Sequence, residues 1–153
     1  MPDWITHIAV AWILCTVIGF KYKQFNPSNT AIVMVGAILP DFVQIGSLGI
    51  WSFVEPLHIP IGTLIIAAMI SLAFQEKKMV FLFLILGFTT HYALDLLETS
   101  INGGIYLFYP LYWGQYQFGL IPTDDYIITI ISLILVFIVY LISRYHIKTK
   151  HEV

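Results

Sequence analysis

The chain has 153 residues, of which 59% are hydrophobic and only 10% are charged, and its mean hydropathy is +0.86. A soluble domain is roughly half apolar and about a quarter charged, so this composition excludes an ordinary water-soluble domain and predicts a protein covered by lipid. A net charge of −2 without a basic run excludes nucleic-acid binding. The single cysteine, Cys15, excludes a disulfide within the chain.

Five apolar stretches predict membrane-spanning helices, because about 20 residues cross the hydrocarbon core and lipid tolerates no unpaired backbone groups. They cover residues 4–20, 30–50, 56–74, 79–97 and 126–143. The first lacks a charged leader and a cleavage site, so we expect a retained helix. We therefore predict an all-α polytopic membrane protein, with a single transmembrane domain over residues 1–153.

The distribution of basic residues predicts the orientation of this domain. With five spans, every lysine and arginine falls on one side of the membrane: Lys21, Lys23, Lys77, Lys78, Arg144, Lys148 and Lys150. The positive-inside rule makes that side cytoplasmic. We expect an integral protein of a prokaryotic cytoplasmic membrane, with its N-terminus outside and its C-terminus in the cytoplasm.

Ionisable residues in or beside spanning helices are costly unless they are paired, hydrated or ligated, so each one suggests a functional site. The predicted topology brings all of them to the outer half of the membrane: His7, Asp41, His58, His91, Asp95 and Glu98. Taken singly, the histidines could be hydrated helix ends and Asp41 a pore-lining or capping group. Because two aspartates and three histidines reach the same depth, a shared site is favoured.

Two local patterns point to metal chemistry. In a helix, His91 and Asp95 lie one turn apart on the same face, and Glu98 follows on that face. Imidazole and carboxylate are zinc ligands, so this pattern supplies half of a metal site; the alternative is a hydrogen bond at a helix end without metal. Pro40 kinks its helix and can aim Asp41 into a cavity.

The order of these residues resembles the membrane-bound metal-dependent hydrolase family (DUF457). The resemblance rests on His7, then Gly36-x-x-x-Pro40-Asp41, a helix-opening His58, His91-x-x-x-Asp95 and an aromatic loop with Tyr109-Pro110 and Trp113-Gly114. It covers most of the chain. It implies an integral membrane hydrolase that depends on a divalent metal.

A fainter similarity connects the chain with zinc-dependent phospholipase C and P1-type nucleases, which are all-helical. This similarity implies one metal, expected to be zinc, on Asp41, His58, His91 and Asp95. It implies that His7 holds a second metal bridged by Asp95. Many members of the hydrolase family carry a further histidine where this chain has Gly62, so we expect one or two ions.

Such a metal would activate water, and Glu98 or Glu55 would act as general base. The depth of the site and the resemblance suggest a lipid or lipid-linked phosphoester at the outer leaflet as substrate. A metal-binding transporter and a non-catalytic structural membrane protein are the alternatives. Haem ligation is disfavoured because carboxylates accompany the histidines. The segment before the last helix is crowded with aromatic residues and is either an interfacial anchor or a lid over the site.

Overall fold

The protein is described by a computed structural model, which covers residues 4–42, 59–99, 104–122 and 126–151, with the backbone alone for Phe42 and residues 147–151. The all-α class predicted from the sequence is confirmed. The described helices are α1 (Trp4–Gly19), α2 (Pro27–Phe42), α3 (Pro60–Ser71), α4 (Lys77–Leu97) and α5 (Tyr126–His151). The short strands β1 (Glu98–Thr99) and β2 (Ile121–Pro122) have two residues each and pair in parallel.

The helix boundaries follow local chemistry. Helix α2 begins at Pro27, three residues before the predicted start, because proline suits the first helical position and the Asn26 side chain accepts a hydrogen bond from the Asn29 N–H (2.9 Å). It continues through Pro40 to Phe42, where the described segment ends. Helix α5 extends beyond the predicted residue 143 to His151, since its last turns contain good helix formers in Arg144, Lys148 and Lys150 and no proline or glycine.

The expectation of five membrane-crossing helices is corrected by these lengths. Two helices are long and apolar enough to cross a membrane: α4 and the part of α5 from Tyr126 to His146. In the described residues α1 and α2 have 16 residues each and α3 has 12, which is short of the roughly 20 needed for a perpendicular span.

Successive helices alternate in direction. The contacts Thr6–Thr129 and Phe20–His146 show that α1 and α5 run parallel. Helices α2 and α4 also run parallel to each other, since Phe25 meets Phe83 near their starts and Ala37 meets His91 near their ends. Thus α2 and α4 end where α1 and α5 begin. We call this the cluster end, because the buried side chains of His7, Asp41, His91 and Asp95 lie there. The opposite end, where α1 ends and α4 begins, is called the basic end because it carries the described lysines.

Two glycines let the backbones of α2 and α4 touch. A Cβ atom at Gly87 would lie 2.2 Å from the Val33 carbonyl oxygen, and one at Gly36 would lie 2.6 Å from the Leu84 carbonyl oxygen. Neither separation is possible for a real Cβ, so only glycine fits at these positions. Small residues commonly allow such close approach between helices in membranes. The contact sets α2 and α4 in the register that brings their last turns together.

The segment from Gly104 to Pro122, which we call the aromatic loop, is fastened to the end of α4. Its two limbs meet in an antiparallel bridge, in which the Ile105 and Tyr116 backbones exchange hydrogen bonds of 2.9 and 3.0 Å. The Phe118 and Leu120 N–H groups donate to the carbonyls of Leu96 and Leu97, at 2.7 and 2.8 Å. Both carbonyls are in the last turn of α4, where carbonyl groups have no hydrogen-bond partner within the helix. The loop therefore caps α4 at the cluster end.

We predict that Gly87→Ala disturbs the α2–α4 contact while Thr89→Ala, two residues away on an exposed position, does not. The added methyl group must push apart two backbones that cannot yield as side chains can, at a cost of about 1–3 kcal/mol or more. The measurement is the midpoint of thermal unfolding in detergent, followed by circular dichroism. Equal midpoints for the two variants would contradict the close packing at Gly87.

Candidate metal centre

Four buried ionisable side chains meet at the cluster end. His7 comes from the second turn of α1, Asp41 from the end of α2, and His91 and Asp95 from the last turns of α4. All four are buried, and the exposed fractions of His7 and His91 are 0%. Alternating helix direction brings the start of one helix beside the ends of two others, and this topology assembles the group. Burying four ionisable groups away from water costs free energy, which must be offset by ion pairs, hydrogen bonds or a bound ion within the group.

Each histidine of this group, which we call the His–Asp cluster, lies within ion-pair range of both aspartates. The His7 Nε2 atom is 3.7 Å from Asp41 Oδ2 and 3.4 Å from Asp95 Oδ1. The His91 Nε2 atom is 3.8 Å from Asp41 Oδ1 and 3.1 Å from Asp95 Oδ2. Three of these four distances exceed the 2.7–3.2 Å of ordinary N–H···O hydrogen bonds. Ligand atoms that surround one tetrahedral ion at about 2 Å are separated by about 3.3 Å, which is close to the spacing observed.

The proton of the neutral His91 ring is assigned by its contact with helix α2. The Nδ1 atom is 2.9 Å from the carbonyl oxygen of Ala37, and a carbonyl can only accept, so Nδ1 carries the hydrogen. In the neutral ring this leaves a lone pair on Nε2, the atom that faces the two carboxylates. Metal-binding histidines are typically fixed in this way, with one nitrogen donating to a backbone carbonyl and the other free for the ion.

His7 is held differently. Both of its ring nitrogens are buried, and neither makes a hydrogen bond to the part of the chain that the structure describes. The ring stacks on that of His91, with centroids 4.3 Å apart and an angle of 28° between planes. A divalent cation bound by two neutral imidazole rings would balance the charges of the two carboxylates.

His7, Asp41 and His91 together form a group that could hold a metal ion, since one ligand atom from each lies within 4.8 Å of the others. Asp95 contacts both histidines and is available as a fourth ligand. Without a metal, His91 and Asp95 would still contact each other as a pair one helical turn apart. This is the metal-free alternative that their spacing in the sequence left open. The structure thus unites four of the five predicted ligands, and it gathers His7 into the same group as Asp41 and His91.

The other predicted site residues have separate outcomes. His58 and Glu55 lie outside the described residues. Glu98 is buried where α4 ends and β1 begins, one turn beyond Asp95. Its burial raises the pKa of the Glu98 carboxyl, and the negative charge of Asp95 acts in the same direction. The carboxylate of Glu98 is therefore a stronger base than that of an exposed glutamate.

Two contributors to the site were not identified from the sequence. The Ala37 carbonyl orients His91, but every residue has a carbonyl, so no sequence signal distinguishes this one. Thr6 lies beside His7, and its hydroxyl is 3.1 Å from that of Thr129, which joins α1 to α5 next to the cluster. A threonine within an apolar run was the available signal, since hydroxyl groups commonly bond across helices in lipid.

We predict that the purified protein carries about one transition-metal ion per chain and that Asp41→Asn and His91→Ala each abolish its retention. His146→Ala should retain the ion, because His146 lies on α5 beside Phe20 and away from the cluster. Elemental analysis after dialysis gives the metal content, and circular dichroism confirms that each variant folds.

Chelation provides a second readout of the same prediction. Because a bound ion stabilises only the folded state, its removal should lower the unfolding midpoint of the wild-type protein. The midpoint of Asp41→Asn should be unchanged by chelator. A wild-type protein that neither holds metal nor gains stability from added Zn²⁺ would rule out the metal centre.

Comparisons of this chain with protein-family models, with curated proteins and with solved structures gave no match. The chemistry of the site must therefore be inferred from its residues and their geometry.

Proposed function

We propose that the protein is a membrane-embedded hydrolase that uses a divalent metal, expected to be zinc, held by the His–Asp cluster. The observation that carries this proposal is the buried His7–Asp41–His91 group, in which His91 contacts the Ala37 carbonyl through Nδ1 and turns Nε2 toward two carboxylates. A bound Zn²⁺ lowers the pKa of water to about 7 and polarises a phosphoryl or carbonyl oxygen. The resemblance to metal-dependent membrane hydrolases supports the same chemistry.

The membrane placement in this proposal is supported by the surface of α5. Outside the face that packs on α1 and contains the buried Ser132, large apolar side chains are exposed along this helix, among them Ile127, Ile134, Phe137 and Leu141. A continuous apolar surface of this kind is unfavourable in water and suits lipid. We propose that α1, α2 and α3 lie in the bilayer beside α4 and α5.

The orientation is proposed from charge. Lys21 and Lys23 follow α1, Lys77 and Lys78 open α4, and Arg144 lies near the end of α5. All five belong to the basic end, which the positive-inside rule assigns to the cytoplasm. The cluster end would then face the extracytoplasmic side.

Within the site, each residue has a proposed role. His7, Asp41, His91 and Asp95 would hold the metal. Glu98, buried one turn beyond Asp95, would accept the proton of the attacking water. The Ala37 carbonyl would keep the neutral His91 ring in the tautomer that has its proton on Nδ1 and its lone pair on Nε2, toward the metal.

The charges at the cluster end indicate the kind of phosphoester that would fit. All seven lysines and arginines are confined to residues 21–23, 77–78 and 144–150, so none is available beside the cluster to neutralise a phosphate. Asp95 and Glu98 add negative charge there instead. A phosphomonoester carries close to two negative charges at neutral pH, whereas a diester carries one. We therefore propose a phosphodiester substrate, such as a phospholipid or another lipid-linked diester.

We predict that Glu98→Gln keeps the metal but lowers the rate of lipid phosphodiester hydrolysis by about 100-fold or more, because it removes the general base. Glu76→Gln is the matched control, since Glu76 is exposed at the basic end. Turnover of a short-chain phosphodiester is measured with right-side-out and inverted membrane vesicles, and only the first should be active before permeabilisation.

Three results would count against this function. Full activity in Glu98→Gln would exclude Glu98 as the base. Higher activity in inverted vesicles would reverse the orientation. Metal uptake into proteoliposomes without any hydrolysis would instead favour the alternative of a metal-binding transporter.

A further inference from the structure

The aromatic loop has a composition that differs from that of an ordinary water-exposed loop. Its 19 residues, from Gly104 to Pro122, include seven aromatic side chains and no charged side chain. Loops in water are usually rich in small polar and charged residues, which keep them solvated. Polar side-chain groups are limited in this segment to Gln115, Gln117, the tyrosine hydroxyls and the Trp113 indole N–H.

The largest apolar side chains of the loop point away from the protein. The exposed fraction is 93% for Leu111, 70% for Trp113 and 72% for Leu120, and Phe118 is exposed to a similar degree. Ile105 belongs to the core cluster that includes Phe88 and Tyr92 of α4, and the partly buried Leu107 packs against this cluster. The loop is thus anchored through Ile105 and Leu107, while its largest side chains face outward.

The backbone of the loop is held in place independently of these outward side chains. The Ile105–Tyr116 bridge closes it, and two hydrogen bonds to the Leu96 and Leu97 carbonyls fix its returning limb to α4. Glycine is required at Gly104, since a Cβ there would lie 2.0 Å from the Tyr116 carbonyl oxygen. The exposed apolar side chains are consequently presented by a fixed support at the end of a candidate membrane-crossing helix.

The composition identifies the surface that would cover these side chains. Protein interfaces normally have a polar rim, whereas this loop has no charged side chain and only two glutamines. Tyrosine and tryptophan are enriched where the hydrocarbon of a bilayer meets its headgroups, because the rings are apolar and their O–H and N–H groups are polar. Leu111 and Phe118 beside them would lie slightly deeper, in the acyl region.

We propose that the aromatic loop inserts Leu111, Trp113, Phe118 and Leu120 into the lipid leaflet at the cluster end of the protein. This inference rests on the membrane placement under the proposed function, but not on the metal or on hydrolysis. If the loop is inserted in this way, lipid borders the end of the helix bundle that carries Asp95 and Glu98. Substrates drawn from that leaflet would reach the cluster end without crossing bulk water.

The test is the environment of a nitroxide spin label at Leu111→Cys in lipid vesicles. The native Cys15 is fully buried and stays unlabelled, so one substitution is sufficient. Collision of the label with oxygen, which concentrates in lipid, is compared with collision with a water-soluble paramagnetic chelate. Two control positions are Phe137→Cys on the exposed face of α5 and Ser28→Cys at the basic end.

The proposal predicts that the Leu111→Cys label behaves like the Phe137→Cys label, with oxygen collisions several-fold more frequent than chelate collisions. The Ser28→Cys label should show the reverse. If the Phe137→Cys label reports lipid but the Leu111→Cys label reports water, the membrane placement stands and the loop proposal is overturned. If both report water, the membrane placement itself fails. Low collision rates with both reagents at Leu111→Cys would indicate a protein partner and would also overturn the proposal.

Discussion

The backbone contact between α2 and α4 at Gly36 and Gly87 determines the geometry of the cluster end. One turn beyond Gly87 on α4 is His91, and its Nδ1 atom reaches the carbonyl of Ala37 only because the two helices touch. The same contact brings Asp41 to within 3.8 Å of the His91 Nε2 atom. A side chain between the helices would separate all of these groups together. The histidine tautomer, the carboxylate spacing and the ligand set therefore depend on one steric constraint.

Electrostatics then decides what such a cluster can be. Two aspartates and two histidines are buried together, and the rings of His7 and His91 are stacked. Buried carboxylates without full compensation are strongly unfavourable, and a divalent ion among these side chains would compensate both at once. The separation of the basic end from the cluster end places all other positive charge of the described side chains far from this site. A cation from solution is thus the natural counter-ion.

Much of this arrangement was predictable from the sequence because it follows from local patterns. The His91-x-x-x-Asp95 spacing places both side chains on one helical face, and Pro40 marks Asp41 as unusual in an apolar helix. Hydropathy located the described helix ends to within about four residues, except at the C-terminal end of α5; the predicted end of the second stretch lies outside the described residues. The end of α5 was missed because its basic turns lack the apolar signal that defined the other boundaries. The spans were overestimated because apolar composition was read as full membrane-crossing length.

Other features depended on tertiary contacts and could not be predicted. His7 had been assigned by resemblance to a second metal, and only the packing of α1 against α2 shows that it faces Asp41. The Ala37 carbonyl carries no sequence signal, and the fastening of the aromatic loop to α4 relies on backbone hydrogen bonds. In each case the decisive partner is remote in sequence or is a backbone atom.

The most direct test of the metal centre is X-ray absorption spectroscopy at the absorption edge of the metal that purifies with the protein. We expect two imidazole nitrogens and one or two carboxylate oxygens at about 2.0–2.2 Å, without sulfur. In His7→Ala one imidazole contribution should disappear. A first shell of oxygen atoms alone, or of sulfur, would contradict the assignment of the His–Asp cluster as the metal site.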